Sequence, residues 1–406
     1  MQSNNKYSAV ADLTEILFSI RTLIEDLREH AMRIKRIPRL DTDALWTIFA
    51  NSEPRVAAQC RILSKNWERV LTSVDFIMEN FKATKNRKMS IIVGVGYPPA
   101  SLKSHWFIRF DAFTGEKIPF EVPFHINVFG HYAMIGSDHG NLSIRVTENG
   151  VHSRLLVWNP LTDKKAWVED EAWKRRTYAV CLDSFSYLSD NMDYCILHAW
   201  KRQYWHRPLV WSLFKSEHKS WSSKGVFQTS EHKIGPYSIV ADDAVFFIGW
   251  EGVNLADPKL ILSYSFKEED FYESNIPPDV IAENNALVKL KDGVGFINYT
   301  EVAFSRKVVV WQIHREGHDI LLWEKMFTVR GFAFPFSPSI LVDTSIISIL
   351  ECKHSFGPAN NNERTDLYIS KGRDNNKLMD MIYHSHWDEN VQVKIVTLHA
   401  EGLYPV

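Results

Sequence analysis

One unit recurs along most of this chain: a strand-like run ending in an aromatic residue, a polar turn, and a second apolar run. Two examples are LLVWNPLTDKKAW at 155–167 and VVVWQIHREGHDILLW at 308–323. The aromatic residues that mark the units follow one another after 48, 53, 53, 47 and 57 residues; they are Phe110, Trp158, Trp211, Tyr264, Trp311 and Tyr368. A period of about 50 residues predicts a β-propeller, in which each unit supplies one four-stranded blade.

The repeats begin where short apolar or alternating runs take over, after residue 90. We therefore expect a mainly β fold, with a propeller of six or seven blades over residues 91–406. The period is that of kelch repeats, but the sequence contains no Gly-Gly pair, so we expect a distant, kelch-like form. The alternative is a β-sandwich in which similar hairpins recur by chance. We also expect Trp158, Trp211 and Trp311 to lie in equivalent strands.

The first 36 residues follow a different period. Apolar residues from Leu13 to Ile34 recur in alternating steps of four and three, which predicts an amphipathic helix. This seam allows either dimerisation or packing within the chain. Because three heptads make a marginal isolated coiled coil, we expect packing within a monomer.

A second helical region is predicted over residues 37–81, because Pro38 ends the first helix and Pro54 suits the first turn of another. Within it, RILSKNWERV at 61–70 is interpreted as one amphipathic helix. Leu63 and Trp67 lie on its apolar side, while Arg61 and Lys65 project from other faces. The basic stretch KATKNRK lies within a predicted linker at 82–90.

Residues 40–67 resemble the F-box motif, and the whole chain resembles plant F-box proteins with a C-terminal F-box-associated, kelch-like domain. The motif begins Leu-Pro-x-Asp/Glu-Leu-Leu-x-x-Ile-Leu and ends Arg-x-Val-Cys-Lys-x-Trp. In the β-region, IGSDHGNLSI at 135–144 and the WNPLT within 155–167 are similar to segments of the same family.

The resemblance implies that the small helical domain docks a Skp adaptor, and through it a cullin, in a ubiquitin ligase. The residues that would contact the adaptor by this resemblance are Leu40, Leu45, Ile48, Phe49, Val56, Leu63, Lys65 and Trp67. The propeller would then present a target protein, whose identity the sequence does not reveal.

The match departs from the family at several positions. Asp41 stands where the family has Pro, Ala44 where it has Leu, and Ser52-Glu53 where Leu-Pro is usual. Losing two such apolar side chains at about 25 cal/mol per Å² costs a few kcal/mol of binding. We therefore expect a weakened affinity for the adaptor.

Composition excludes some other partners. The formal net charge of -2 does not indicate nucleic acid or an anionic membrane as partner. Four scattered cysteines do not form a disulfide framework or a zinc motif, which favours a reducing compartment, the cytoplasm or nucleus. The polar first residues lack the features of a signal peptide, and no apolar run is long enough to span a bilayer.

We expect no catalytic residue, metal or cofactor. The sequence contains no phosphate-binding Gly-rich loop, nucleophile elbow or zinc-protease helix. His384 and His386 are one possible metal pair, and the acidic runs VEDEAW at 168–173 and KEED at 267–270 are possible glycosidase carboxylates. WKRQYWH at 200–206 mixes basic and aromatic residues as nucleic-acid binders do. Surface strands, turns and loops explain all four more simply, although a propeller enzyme or a glycan-binding module remains the alternative function.

Overall fold

The computed structural model describes most of the chain after residue 41. The described residues are 25, 42–85, 89–96, 106–111, 116–124, 131–148, 152–169, 179–188, 192–202, 208–222, 225–228, 232–241, 243–251, 258–278, 280, 284–290, 293–302, 305–316, 319–330, 349–356, 363–371, 378–384, 392–400 and 406. The predicted helix at 1–36 lies outside them, apart from the helical Glu25.

Four short α-helices precede the strands: α1 (Thr42–Ala50), α2 (Pro54–Cys60), α3 (Lys65–Leu71) and α4 (Val74–Thr84). A 3-10 turn, Arg61–Leu63, lies between α2 and α3. The chain forms two compact units, residues 1–49 and 50–406, so that α2 to α4 belong to the same unit as the strands. The predicted division of the sequence at 36, 81 and 90 stays a prediction.

The strands form antiparallel sheets of neighbours in sequence. Blade 1 contains β24 (Gln392–Ala400), β1 (Met89–Gly96), β2 (Trp106–Asp111) and β3 (Lys117–Ile118). Blade 2 contains β4 (His131–Asp138), β5 (Asn141–Glu148), β6 (His152–Asn159) and β7 (Lys164–Glu169). Blade 3 contains β8 (Ala179–Leu188), β9 (Asp193–Arg202), β10 (Leu209–Lys215), β11 (Ser220–Trp221) and β12 (Gly225–Phe227).

Two more blades and a smaller sheet follow in the same way. Blade 4 contains β13 (His232–Ala241), β14 (Ala244–Glu251), β15 (Pro258–Ser265) and β16 (Asp270–Asn275). Blade 5 contains β17 (Asn284–Leu290), β18 (Gly293–Val302), β19 (Ser305–Glu316) and β20 (Asp319–Arg330). The smaller sheet contains β21 (Ile349–Phe356), β22 (Glu363–Lys371) and β23 (Leu378–His384).

The first strands of successive blades are neighbours, as in a propeller. β24 contacts β4, β4 contacts β8, β8 contacts β13, and β13 contacts β17. The fold is therefore mainly β with a β-propeller, which confirms the predicted class and excludes the sandwich. The predicted count of six or seven blades differs from what the described residues show, which is five blades of four or more strands. Within the described residues, the sheet β21–β23 has three strands.

The marker aromatics lie where the repeat predicts. Trp158, Trp211 and Trp311 each lie in the third strand of their blade, which confirms their equivalence. Phe110 and Tyr264 occupy the same place in blades 1 and 4. Large rings are suited to this position because adjacent blades meet face to face and leave a wide layer to fill.

The core consists of these layers between blades. Between blades 3 and 4, the rings of Trp211 and Tyr264 meet edge to face with centroids 5.2 Å apart. Between blades 1 and 2, Ile92 joins a buried cluster that includes Leu142 and Trp158. The propeller is therefore held together by aromatic and aliphatic packing from blade to blade.

Candidate functional site

The residues predicted to contact an adaptor lie in three helices and one turn. Leu45, Ile48 and Phe49 lie in α1, Val56 in α2, Leu63 in the 3-10 turn, and Lys65 and Trp67 in α3. Leu40 lies outside the described residues. The structure thus gives seven of the eight predicted residues a place in a helix or turn, and their contact with an adaptor stays a prediction.

Helix α1 presents an amphipathic surface in its own unit. Ile48 is 50% exposed, whereas Leu45 and Phe49 are half-buried. Within the helix, the Thr47 hydroxyl donates a hydrogen bond to the Asp43 carbonyl oxygen over 2.9 Å. Ile48 is therefore an apolar side chain that a partner could cover.

The segment 61–70 is not the single helix that its apolar spacing predicts. Ser64 is extended, with φ -166° and ψ 159°, and it separates the 3-10 turn from α3. Its hydroxyl oxygen accepts a hydrogen bond from the Trp67 N–H over 3.2 Å. Serine favours this role because its side chain satisfies a donor that the first helical turn leaves free. The prediction of a continuous helix was therefore wrong at this residue.

Arg61 and Ile62, neighbours in the 3-10 turn, differ in their exposure to solvent. The Arg61 guanidinium is part-buried, and its Nη2 donates to the Leu71 carbonyl oxygen over 3.2 Å. Burial lowers the pKa of Arg61, and the charge of Glu68 opposes this shift. The Arg61 side chain thus reaches the end of α3 and satisfies one of its carbonyls.

Ile62 is 79% exposed, the highest value among the exposed large hydrophobic side chains of the described residues. Val56 in α2 is 42% exposed and Val74 at the start of α4 is 44% exposed. Sequence reasoning missed Ile62 and Val74. It assumed a continuous helix, in which Ile62 does not fall on the stripe from Val56 to Trp67; the Ser64 break would have been the signal to reconsider it.

Helix α4 has a serine cap and is hydrogen-bonded to the segment that leads into α2. Ser73 caps it by accepting from the Phe76 N–H over 3.4 Å, and the Phe76 side chain is fully buried. Asn80, also fully buried, donates from Nδ2 to the carbonyl oxygens of Ala50 and Ser52 over 3.0 and 2.8 Å. These bonds fix the residues that lead into α2, the helix that carries the exposed Val56.

The propeller contains a buried ionic group between blades 2 and 3. Asp183 in β8 accepts from Arg145 Nη1 of β5 over 2.6 Å, and its other carboxylate oxygen lies 2.6 Å from His198 Nδ1 of β9. Burial raises the pKa of Asp183, but Arg145 and His198 hold it well below its usual value. The group joins two blades through a charged pair and a short contact with His198.

Among the other sequence candidates for chemistry, the described carboxylates of the KEED run have partners of their own. Glu269 of the KEED run pairs with Lys215 of blade 3, and Glu268 pairs with the Ser265 hydroxyl. His384 lies in β23, while His386 and residues 170–173 and 203–206 lie outside the described residues. The KEED carboxylates therefore stabilise a turn and a contact between blades.

The described ranges also bear on metal ions, on membrane-spanning helices and on a buried thiol. No group of three or more His, Cys, Asp or Glu side chains in those ranges could hold a metal ion. No helix within them is long and apolar enough to cross a membrane. Burial raises the pKa of the Cys195 thiol to about 12, so this thiol stays neutral at physiological pH.

The chain is similar to known proteins in sequence family and in fold. Residues 138–397 match the model of the F-box associated beta propeller domain. No curated protein matches the whole sequence significantly. Among solved structures, TolB from Acinetobacter baumannii is 10% identical, with a TM-score of 0.45 over 82% of this chain and 71% of that chain.

Two further solved structures are similar with lower TM-scores. Aleuria aurantia lectin is 9% identical, with a TM-score of 0.35 over 72% of this chain and 94% of that chain. AofleA from Arthrobotrys oligospora is 8% identical, with a TM-score of 0.36 over 78% of this chain and 91% of that chain. The family match covers more than half of the sequence and runs from the end of β4 into β24. The chain therefore belongs to the family of F-box-associated β-propeller proteins.

Proposed function

We propose that this protein is the target-recognition subunit of a Skp–cullin–F-box ubiquitin ligase. Its helices would bind the Skp adaptor, and its propeller would bind a target protein. The family match supports a role of this general kind, because propellers of this family are named for their association with an F-box. The proposed role needs no catalytic residue, since it raises the local concentration of target lysines near the conjugating enzyme.

The observation that carries the proposal is the exposure of apolar side chains in the F-box-like helices. Ile62, Val56 and Val74 expose 79%, 42% and 44% of their surface to water. Burying a fully exposed side chain of this size in a partner contributes about 1.5–3 kcal/mol, and the partly exposed valines contribute proportionately less. An adaptor with an apolar surface would therefore gain affinity from them, and this gain would offset part of the loss from Asp41, Ala44 and Ser52-Glu53.

Two finer features belong to the same proposal. We propose that the propeller is of the kelch-like type seen in the plant proteins that the sequence resembles. The cytoplasm or nucleus is the proposed location, since the scattered cysteines suit a reducing compartment. An experimental structure of the complete propeller would test the propeller type.

Adaptor binding is the direct test. The full chain is mixed with purified Skp adaptor, and the Kd is compared with that of a Val56→Asp, Ile62→Asp double variant. Burying two unpaired carboxylates in an apolar contact should raise the Kd at least tenfold. The thermal midpoint should stay close to that of the unaltered chain, because both residues are exposed.

Val226→Asp is the matched control, because Val226 is 61% exposed and lies in β12 of the propeller. It should leave the Kd unchanged. Lack of adaptor binding by the unaltered chain would overturn the proposal. Equal affinity of the double variant would place the binding surface elsewhere and remove the observation on which the proposal depends.

A further inference from the structure

The last turns of α4 contact the propeller through one aromatic stack. The Phe81 ring lies on the His139 imidazole, with centroids 4.7 Å apart and planes inclined by 27°. Phe81 is only 9% exposed. Since α4 leads along the chain into β1 of blade 1, while His139 follows β4 of blade 2, the helix is attached to two neighbouring blades.

His139 is held in a fixed orientation by its turn. His139 and Gly140 have φ of 47° and 80°, and Asp138 pairs with Asn141 across the hairpin. Positive φ at both central residues is the geometry of a type I′ turn, which suits the twist of the flanking strands. The Tyr187 ring of blade 3 lies with its centroid 5.6 Å from that of the imidazole. The imidazole that contacts Phe81 is therefore part of a tight turn and also contacts the next blade.

Asp138 connects this turn to two further blades. Its Oδ1 lies 3.0 Å from His139 Nδ1 and 3.9 Å from Lys289 Nζ of β17 in blade 5. Its Oδ2 accepts from the Tyr187 N–H over 2.9 Å. Burial raises the pKa of Asp138, but His139 and Lys289 lower it overall, so the carboxylate stays charged. The contact point of α4 is thus anchored to blades 2, 3 and 5.

Asn80, next to Phe81 in sequence, is hydrogen-bonded to the segment that leads into α2. Asn80 donates to the carbonyl oxygens of Ala50 and Ser52, at the turn that leads into α2. One turn of α4 therefore faces two ways, with Asn80 toward the helices and Phe81 toward the propeller. A chain connection alone would allow the helices to swivel, whereas a second attachment to another blade removes that freedom.

We infer that Phe81 and His139 are positioning residues that fix the direction in which α2 to α4 leave the propeller. This inference rests on the proposed function for its biological purpose, because a fixed direction would hold a bound target at a constant distance from the adaptor. The attachment itself is a property of the chain alone. It can therefore be tested without adaptor or target.

The test measures a distance in the full chain. Fluorophores are introduced through noncanonical amino acids at the exposed Gln59 of α2 and Lys165 of β7, and single-molecule energy transfer records the distribution of distances. We expect one narrow distribution for the unaltered chain. Phe81→Ala and His139→Ala should each widen it, and Phe81→Tyr, which keeps the stacked ring, should restore the narrow form.

Phe124→Ala is the control for general loosening of the propeller. Phe124 stacks on Tyr132 at 5.3 Å, a contact within the propeller and away from α4, so its loss should not widen the distribution. If Phe81→Ala fails to fold by circular dichroism, Phe81→Leu replaces it, since it keeps an apolar side chain without a ring.

The inference would be overturned if the distance distribution kept its width both in the Phe81 variant and in His139→Ala. The Phe81 variant is Phe81→Ala, or Phe81→Leu where it replaces Phe81→Ala. Equal widening by Phe124→Ala would also overturn it, because the effect would then be one of propeller stability. Adaptor affinity is measured separately on the same variants. A widened distribution in a chain that binds no adaptor supports the attachment and contradicts only the proposed function.

Discussion

At the scale of single residues, the carboxylate of Asp183 connects two blades of the propeller. Asp183 is enclosed between blades 2 and 3, with Arg145 on one carboxylate oxygen and His198 on the other. Removing one partner of a buried ion pair is costly because the remaining charge is then left without compensation. Asp183 therefore couples two blades, and its protonation state should be visible in the stability of the whole unit.

Asp183→Asn should lower the free energy of unfolding by about 3–5 kcal/mol at pH 7, because it leaves Arg145 buried without its counter-charge. The folded-state pKa of Asp183 lies below its unfolded value. Its contribution is therefore present above about pH 4 and is lost as pH falls toward the folded pKa.

Urea denaturation between pH 7 and pH 3 measures the free energy of unfolding of the unaltered chain and of Asp183→Asn. The difference between them should shrink as the pH falls below about 4. Asp75→Asn, at an exposed position in α4, is the control and should change stability by less than about 1 kcal/mol. A difference that stays constant with pH would show that Asp183 contributes through packing alone.

Gly225 is required by the ring beside it. A Cβ at this position would lie 2.1 Å from Cε2 of Trp211, whose side chain is buried. Gly225→Ala should therefore destabilise the chain by about 1–3 kcal/mol, since a packed core does not accept the extra volume. Trp211→Leu removes the ring, so Gly225→Ala should cost much less in that background. Additive effects in the thermal midpoints of this cycle would contradict the explanation.

At the scale of elements, the repeat predicted the blades better than the apolar spacing predicted the helices. The period of the marker aromatics placed Trp158, Trp211 and Trp311 in equivalent strands, because each blade repeats one packing problem. The spacing of Val56, Cys60, Leu63 and Trp67 suited one helix, but a capping serine interrupts it. Local capping chemistry, which a period does not register, decided the helical boundaries.

The candidate site shows the same limit. The motif identified residues by position, so it included Val56, which the structure exposes, and missed Ile62, which is exposed further. The Phe81–His139 stack was not predicted from the sequence, because it joins a helix to a hairpin of blade 2 that lies far away in the chain. Contacts between different elements depend on the assembled fold, and no local pattern records them.

The frame of the helices should depend on Asn80. Asn80→Ala leaves the carbonyl oxygens of Ala50 and Ser52 without this donor, which costs about 1–3 kcal/mol for buried groups. We expect the helical residues to exchange their amide hydrogens faster, while the propeller strands keep their protection. Asn66→Ala, at an exposed position in α3, is the control and should change little. Faster exchange throughout the propeller would show that the helices and strands unfold together.

At the scale of the whole molecule, closure joins the two ends of the β-region. β24 pairs antiparallel with β1. The first strand of blade 1 is therefore Gln392–Ala400, and its other three strands lie within residues 89–118. β24 also contacts β4 of blade 2. Loop closure over such a long separation costs entropy only slowly with length, so one strand pairing can hold the ends together.

Removing β24 should therefore cause aggregation. A chain ending at residue 391 leaves the edge of β1 without its partner over the register Met89–Ala400 to Gly96–Gln392 and also removes the neighbour of β4. An unpaired edge invites pairing with another copy, so the truncated chain should sediment as large species or be insoluble. A chain ending at residue 400 keeps β24 and should stay soluble and similar in sedimentation to the complete chain. If the chain ending at 391 is equally soluble and melts at the same temperature, the pairing of β24 with β1 does not stabilise the propeller, and closure must depend on contacts between blades alone.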